Sequence, residues 1–347
     1  MAMKSPIKTF SLLASATLLT LSSLSAVSTD PVGYVTTTTP SGDDALIGLP
    51  LVQEKSLVGV AGSVSGAEFA VDATLEVDAY TNTHYVLATS GTNWGQWSEV
   101  VGTASDSVTT ADELLAEGDT FEIIPFWTLA TAFPEGEGIG DSLDPFNPEA
   151  TVKLNDLNAA GVNLSTAATY FYYPGPTPVA AGWYQTGSFA LSDDVRLSPE
   201  TFLTIRNNSG SSLKTVVTGT VPTSIIGTVV VGVSDAAQDN QLVNPYPAEI
   251  TLATSGLVDV ISPAADPFNP TDTIKIYDIE NTLGQNLSTA ATYFYYAGPS
   301  PVAGWYQTGS FASSNDVVIP AGGAFIVRKG AGDNEIVEWN PPVPYSL

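Results

Sequence analysis

Two near-identical aromatic passages are the part of this sequence whose residue types and spacing suit ligand binding. Of the 27 residues in Asn286–Ala312, 25 match Asn163–Ala190, and each copy contains an adjacent tryptophan and tyrosine. Flat apolar ring faces with a polar rim suit sugar rings, so a glycan-binding aromatic platform is one hypothesis. The platform residues would be Trp183, Tyr184, Trp305 and Tyr306.

A structural role for the same passages is the favoured alternative. In the segment "TYFYY" the side chains of Tyr170 and Tyr172 alternate with those of Phe171 and Tyr173, which places apolar rings on both faces of a strand. A strand that is apolar on both faces is typical of the centre of a covered sheet. The sequence therefore favours core aromatics over a binding surface.

Acidic side chains are concentrated in a loop just before the first aromatic passage. Oxygen-rich flexible loops can hold calcium, so this loop is a candidate calcium site. The counterpart loop in the second copy keeps only Asp259 and Asp266, which favours a solvated acidic turn instead. The candidate ligands are Glu135, Glu137, Asp141 and Asp144.

The residues needed for nucleophilic catalysis are scarce. The chain has no cysteine and one histidine, His84, which lies in an apparent strand, and it has no Gly-x-Ser-x-Gly motif. A carboxylate pair of the kind used by glycosidases stays open as an alternative. Asn163 and Asn286 each begin an Asn-Leu-Ser glycosylation-acceptor pattern, a motif short enough to arise by chance.

Composition excludes several partner classes. The formal net charge is −26, from 36 acidic and 10 basic residues, so nucleic acid and anionic lipid would be repelled. Only 13% of the residues are charged, which predicts a surface built from Thr, Ser, Asn and Gly. Without cysteine, no disulfide and no thiolate metal site can form, and stability must come from packing.

The N-terminus has the order of a secretory signal peptide. Lys4 and Lys8 precede an apolar run from Phe10 to Leu24, and small residues follow. We expect residues 1–28 to be removed, with cleavage between Val27 and Asp30, and the mature chain to contain no membrane span. The expected location is secreted, periplasmic or on the outer surface of a bacterium.

The chain also carries an internal duplication with an insertion. The segment "DPFNP" begins at Asp144 and again at Asp266, and "TLAT" begins at Thr128 and again at Thr251. Upstream, residues 43–50 resemble 239–246 at a larger offset, which predicts an insertion in the first copy. The predicted units are a first β domain of 29–50 plus 124–210, an inserted small β module of 51–123, and a second β domain of 211–347.

Short β-branched and aromatic runs bounded by Gly, Pro and Asn predict many short strands. We expect an all-β fold of tandem duplicated β-sandwich or partly open β-barrel domains with one strand order, and a small inserted barrel-like module. The module should bury Tyr85, Trp97 and Phe121 and lean on the first unit. The best helix signal is Thr110–Asp119.

Several motifs together resemble a family. They are "STDPVGYVT", "GDTFEIIPFWTLATAFP", "NLSTAATYFYY" followed by "GW", and an ending "TIRN" or "IVRK". In this combination the chain resembles a verrucomicrobial paralogous family of secreted proteins of unknown function. The resemblance spans nearly the whole mature chain but implies no catalytic or binding residue.

The sequence as a whole favours a secreted, non-enzymatic structural or interaction protein, acting as a scaffold or adhesive surface. Its expected partners are copies of itself, cell-surface components or glycans, and it needs no cofactor unless calcium binds. The alternatives are a carbohydrate-binding module and a carboxylate-dependent hydrolase.

Overall fold

The fold was analysed in a computed structural model. Strands account for 41% of the residues and helices for 3%, which confirms the all-β prediction. The predicted signal peptide, residues 1–28, lies outside the described residues. The structure describes residues 30–156, 159–175, 179–277, 284–286, 291–299, 302–310, 312–332 and 334–346.

The elements follow one another in chain order. Those up to the first helix are β1 (Val32–Thr39), β2 (Asp44–Ile47), β3 (Leu57–Val60), β4 (Val64–Ser65), β5 (Glu68–Ala70), β6 (His84–Ala88), β7 (Trp97–Thr103), β8 (Ser107–Thr110), β9 (Thr120–Pro125), β10 (Trp127–Thr128) and α1 (Leu129–Ala132). A 3-10 helix at Pro134–Gly136 precedes β11 (Ala150–Asn155), β12 (Thr166–Tyr173), β13 (Gly182–Gln185), β14 (Arg196–Leu197), β15 (Leu203–Asn207) and β16 (Leu213–Thr220). The remaining elements are β17 (Thr228–Val231), β18 (Gln238–Val243), β19 (Ile250–Thr251), a 3-10 helix at Leu257–Asp259, β20 (Thr273–Ile276), β21 (Ala291–Tyr296), β22 (Gly304–Gln307), β23 (Val318–Ile319), β24 (Ala324–Lys329) and β25 (Ile336–Trp339).

The two copies form antiparallel sheets with the same strand order. The first five-stranded sheet runs β13-β12-β11-β15-β2, and the second runs β22-β21-β20-β24-β18. Each sheet is covered by a two-stranded ribbon, β1 with β16 in the first copy and β17 with β25 in the second. Val217 of β16 packs in the first core and Trp339 of β25 packs in the second, so each ribbon closes its own core.

The two repeats have the same local structure at their "TLAT" segments, which supports the alignment of these segments. The backbone N–H of Thr128 donates to the hydroxyl of Thr131 at 2.8 Å, and that of Thr251 donates to the hydroxyl of Thr254 at 3.0 Å. In the first copy this reciprocal threonine pair caps α1. The domain boundaries that the alignment suggested stay predictions.

The inserted module is a curled seven-stranded sheet, in the order β3-β9-β6-β7-β8-β5-β4. Tyr85 and Phe121 are buried as predicted and Trp97 is half-buried, but the three residues do not share one core. Alternation along the strands places Phe121 in the module's own core, whereas Tyr85 and Trp97 lie on the opposite face. There they pack with Phe126 and Ile226, so the module leans on both copies rather than on the first alone.

The predicted helix at Thr110–Asp119 is also wrong, because side chains that would cap a helix bind a loop instead. The Thr110 hydroxyl donates to the carbonyl of Asp112 at 2.7 Å, and the Asp119 carboxylate accepts from the backbone N–H of Ala116 at 2.8 Å. Leu114 and Leu115 are both buried in the module core. Burying both in this loop outweighs the local helix signal.

A buried ion pair replaces an amide in the second copy. Lys329 is 1% exposed and its Nζ lies 2.6 Å from Asp272 Oδ2, while it donates to the carbonyl of Val260 at 2.9 Å. The equivalent position in the first copy is Asn207, whose side-chain N–H groups donate to three backbone carbonyls. Both residues bind loops to the end of their sheet. The sequence shows only that Asn207 is replaced by Lys329 and does not reveal this shared role.

We expect Lys329→Met to lower the free energy of unfolding by about 3 to 5 kcal/mol, because it leaves the carboxylate of Asp272 buried without its cation. Urea unfolding monitored by tryptophan fluorescence would measure the change. Lys214→Met, at an exposed position, is the matched control and should change stability by less than about 0.5 kcal/mol. Equal stability of the two variants would contradict the assignment of a buried ion pair.

Candidate functional site

The aromatic candidates lie inside the repeated units. Trp183 and Trp305 are 0% and 2% exposed and belong to the first and second cores. Tyr184 and Tyr306 are buried on the other face of their sheets, and their hydroxyls donate to the carbonyls of Ala180 and Val302. A glycan platform needs ring faces that are open to solvent. The aromatic-platform hypothesis stays a prediction, and glycan binding there would require these buried rings to become exposed.

The backbone of each tryptophan is held by a side-chain oxygen. Trp183 N donates to Asp193 Oδ1 at 2.7 Å, and Trp305 N donates to Asn315 Oδ1 at 2.9 Å. A carboxylate and an amide perform the same task because only one acceptor oxygen is needed. This contact explains how the two copies tolerate different residues at this position.

We expect Trp183→Ala and Trp305→Ala each to cost about 3 to 5 kcal/mol of stability, because each deletion leaves a large cavity in a core. Chemical denaturation of each single variant would measure the loss. Trp94, which is 50% exposed, provides the control, since Trp94→Ala should change stability far less. A platform role would instead show as unchanged stability with lost glycan binding.

The four candidate calcium ligands lie along one exposed stretch of chain, and their carboxylates do not form a cluster. Glu135, Glu137, Asp141 and Asp144 are all exposed, and Asp144 Oδ1 already accepts the backbone N–H of Phe146 at 3.0 Å. Within the part of the chain that the structure describes, no three Asp, Glu or His side chains group closely enough to hold a metal ion. Calcium binding at these four residues stays a prediction.

The single histidine lies between two hydroxyl groups. His84 Nε2 lies 3.0 Å from Ser56 Oγ, and its Nδ1 lies 2.8 Å from Thr83 Oγ1. Burial lowers the pKa of His84, which favours the neutral imidazole. Both ring nitrogens therefore have hydroxyl partners, where a Ser-His-Asp triad would have a carboxylate on Nδ1.

The asparagines of the two Asn-Leu-Ser patterns take part in contacts between the repeats. Arg206 donates through Nε and Nη2 to the two carboxylate oxygens of Asp44, both at 2.7 Å. Asn286 of the second copy reaches the same pair, since its backbone N–H donates to Asp44 Oδ2 at 2.8 Å and its Oδ1 accepts from Arg206 at 2.7 Å. The asparagine thus joins one repeat to the ion pair of the other.

The reciprocal contact exists on the other side. Arg328 donates to the two oxygens of Asp239 at 2.6 and 2.8 Å, and the backbone N–H of Asn163 donates to Asp239 Oδ2 at 2.8 Å. Asn163 and Asn286 both have left-handed backbones, with φ of 55° and 57°. We call these two Asp-Arg-Asn groups the clasp.

The electrostatics of the clasp favour the ionised form of Asp239. Burial alone would raise the pKa of Asp239, but the hydrogen bonds from Arg328 and Asn163 and the charge of Lys275 outweigh it and lower the pKa. The hydrogen bond to Asp44 raises the pKa of Arg206. The Asp44 and Asp239 side chains are 3% and 0% exposed, so removing either arginine would leave a buried carboxyl group without its two-point partner.

A cleft of about 500 Å³ opens between the two repeated sheets, beside the clasp. Lys153 of β11 and Lys275 of β20 line it from opposite repeats, with Arg206 and Asp44 at its rim. Alternation explains their position, since the residues on either side of each lysine point into their own core. The sequence shows that the two lysines are equivalent but gives no signal that they line one cleft.

A second cleft, of about 600 Å³, lies where the inserted module meets both repeats. Trp97 Nε1 donates to Glu200 Oε2 at 3.2 Å there, and Gln96 donates to Glu338 at 3.0 Å. Burial raises the pKa of Glu200, although the hydrogen bond from Trp97 opposes this. Glu200 lines this cleft together with Glu338, so the carboxylate-dependent hydrolase alternative can be tested at this residue.

Among the described residues, none of the helices is long and apolar enough to cross a membrane. Comparisons with protein-family models, with curated proteins and with solved structures found no match for this chain.

Proposed function

We propose that this protein is a secreted, non-enzymatic interaction protein of the bacterial cell exterior, a rigid scaffold that presents two equivalent apolar contact points. The observation that carries the proposal is a pair of exposed phenylalanines at equivalent positions. Phe146 and Phe268 are 86% and 80% exposed and lie in the two "DPFNP" segments. Exposed apolar surface that is held in place is typical of interaction sites.

Each exposed ring is presented by a built turn. Asp144 Oδ1 accepts the backbone N–H of Phe146 at 3.0 Å, and Asp266 Oδ1 accepts that of Phe268 at 2.9 Å. In both copies the aspartate carbonyl also accepts from the asparagine that follows the phenylalanine, at 3.1 Å. These Asx turns fix the backbone, so the ring is held toward solvent rather than folded into the core. We call Asp144–Pro148 and Asp266–Pro270 the phenylalanine turns.

A second aromatic ring extends the contact point of the first copy. Phe189 lies 5.6 Å from Phe146 between ring centroids. Phe189 has a φ of 54°, a strained conformation for an aromatic residue. A backbone held in a strained conformation with its ring exposed supports a role in contact rather than in packing.

The clasp makes the two contact points act together. Because the repeats are fixed to one another, both phenylalanine turns keep a constant separation, and binding at one raises the effective concentration at the other. The net charge of −26 keeps copies apart at low salt. Self-association or adhesion should therefore strengthen as salt screens this repulsion.

We expect the chain to self-associate as salt rises from about 0.01 M to about 0.15 M, where the Debye length falls from about 30 Å to about 8 Å. Sedimentation velocity of the mature chain would measure this. The double variant Phe146→Ser, Phe268→Ser should remain monomeric at both salt concentrations. Val77→Ser is the matched control, because Val77 is an exposed apolar residue of the inserted module.

Two outcomes would contradict the proposal. One is association that persists unchanged in the double phenylalanine variant. The other is reproducible hydrolysis of a polysaccharide that Glu200→Gln abolishes while the fold is kept, since that would make the protein a carboxylate-dependent enzyme.

A further inference from the structure

The inter-repeat cleft concentrates positive charge in an otherwise acidic protein. Four of the ten basic residues of the chain, Lys153, Arg206, Lys275 and Arg328, lie in or beside it. The arginines are neutralised, because each forms a two-point ion pair with a buried aspartate. The lysines are therefore the source of an excess of two positive charges.

The two lysines lack strong partners of their own. Lys275 Nζ lies 3.9 Å from Asp239 Oδ2, but that carboxylate already accepts from Arg328 and Asn163. Among the described residues, no hydrogen bond or ion pair to the ammonium group of Lys153 is formed. Burial lowers the pKa of both lysines. The charges of Arg206 at Lys153 and of Arg328 at Lys275 act in the same direction, while Asp44 and Asp239 oppose them without reversing the shift.

Both ammonium groups are partly buried and line the same cleft from opposite repeats, and neither is needed to fill a core. A bound anion would give both of them a charged hydrogen-bond partner.

The remaining walls of the cleft suit a sugar. Asn155 and Gln241 offer amide groups, Thr166 and Thr204 offer hydroxyls, and the half-buried Leu164 offers an apolar side chain. Hydrogen-bonding side chains beside an apolar one match the hydroxyls and the carbon face of a pyranose, whereas a small inorganic anion would use only the lysines. The volume of about 500 Å³ is in the range of ligand-binding clefts.

We infer that the cleft between the repeats binds an oligosaccharide that carries carboxylate groups, with Lys153 and Lys275 each contacting a uronate carboxylate. This inference rests on a different surface from the phenylalanine turns, so either can fail without the other. It also differs from the aromatic-platform hypothesis, whose residues are in the cores.

Isothermal titration calorimetry of the full mature chain with tri-galacturonate and tri-mannuronate tests the inference, with neutral cellotriose and inorganic sulfate as comparison ligands. We expect at least one uronate trimer to bind and to raise the melting temperature by mass action, and cellotriose not to bind. Lys153→Met and Lys275→Met should each weaken binding at least tenfold, and Lys214→Met should leave it unchanged. Affinity should fall as salt rises.

A stability measurement separates this role from a structural one. In the absence of ligand, Lys153→Met should keep or raise the melting temperature, because it removes an ammonium group that burial and the charge of Arg206 disfavour, without opening a core. The inference would be overturned if neither uronate trimer binds, if both lysine variants bind as tightly as the wild type, or if inorganic sulfate competes as well as the trimers. A lower melting temperature for unliganded Lys153→Met would likewise contradict it.

Discussion

The exchange of asparagine loops between the repeats is the interaction on which the rest of the structure depends. Asn163 of the first copy completes the Asp239–Arg328 pair of the second, and Asn286 completes the Asp44–Arg206 pair of the first. Each aspartate side chain is buried and paired with an arginine, so its oxygens need hydrogen-bond donors, and one of these donors comes from the other repeat. The clasp, together with the apolar contacts of Leu46 and Phe202 with Val243 and Ala324, joins the two repeats, and the cleft lies between residues of both.

The local features of the fold could be predicted from the sequence because they depend on near neighbours. Alternation in "TYFYY" predicts the two-faced strand that β12 and β21 form, and the covered rings on both faces follow from it. The shared strand order follows from the duplication, since equivalent sequences bury equivalent faces. These inferences use only the period of the side chains and the similarity between the copies.

Features that depend on distant partners could not be predicted. The Asn-Leu-Ser pattern at Asn163 has the same letters in a glycosylation site and in the clasp, and only the tertiary structure brings Asp239 to it. The alternation around Trp97 does not show which face of the sheet is covered by another part of the chain. Its packing against Phe126 could therefore be seen only once the position of the inserted module was known. Leu114 and Leu115 could belong to a helix or to a core loop, and burial decided between them.

Differential scanning calorimetry of the mature chain tests the central claim, that the clasp joins the repeats into one unit, most directly. The account predicts that both repeats unfold in a single transition in the wild type. In the double variant Arg206→Ala, Arg328→Ala, the repeats should unfold in separate, earlier transitions, while Arg196→Ala, outside the clasp, should leave one transition. Separate transitions in the wild type, or an unchanged single transition in the double variant, would contradict it.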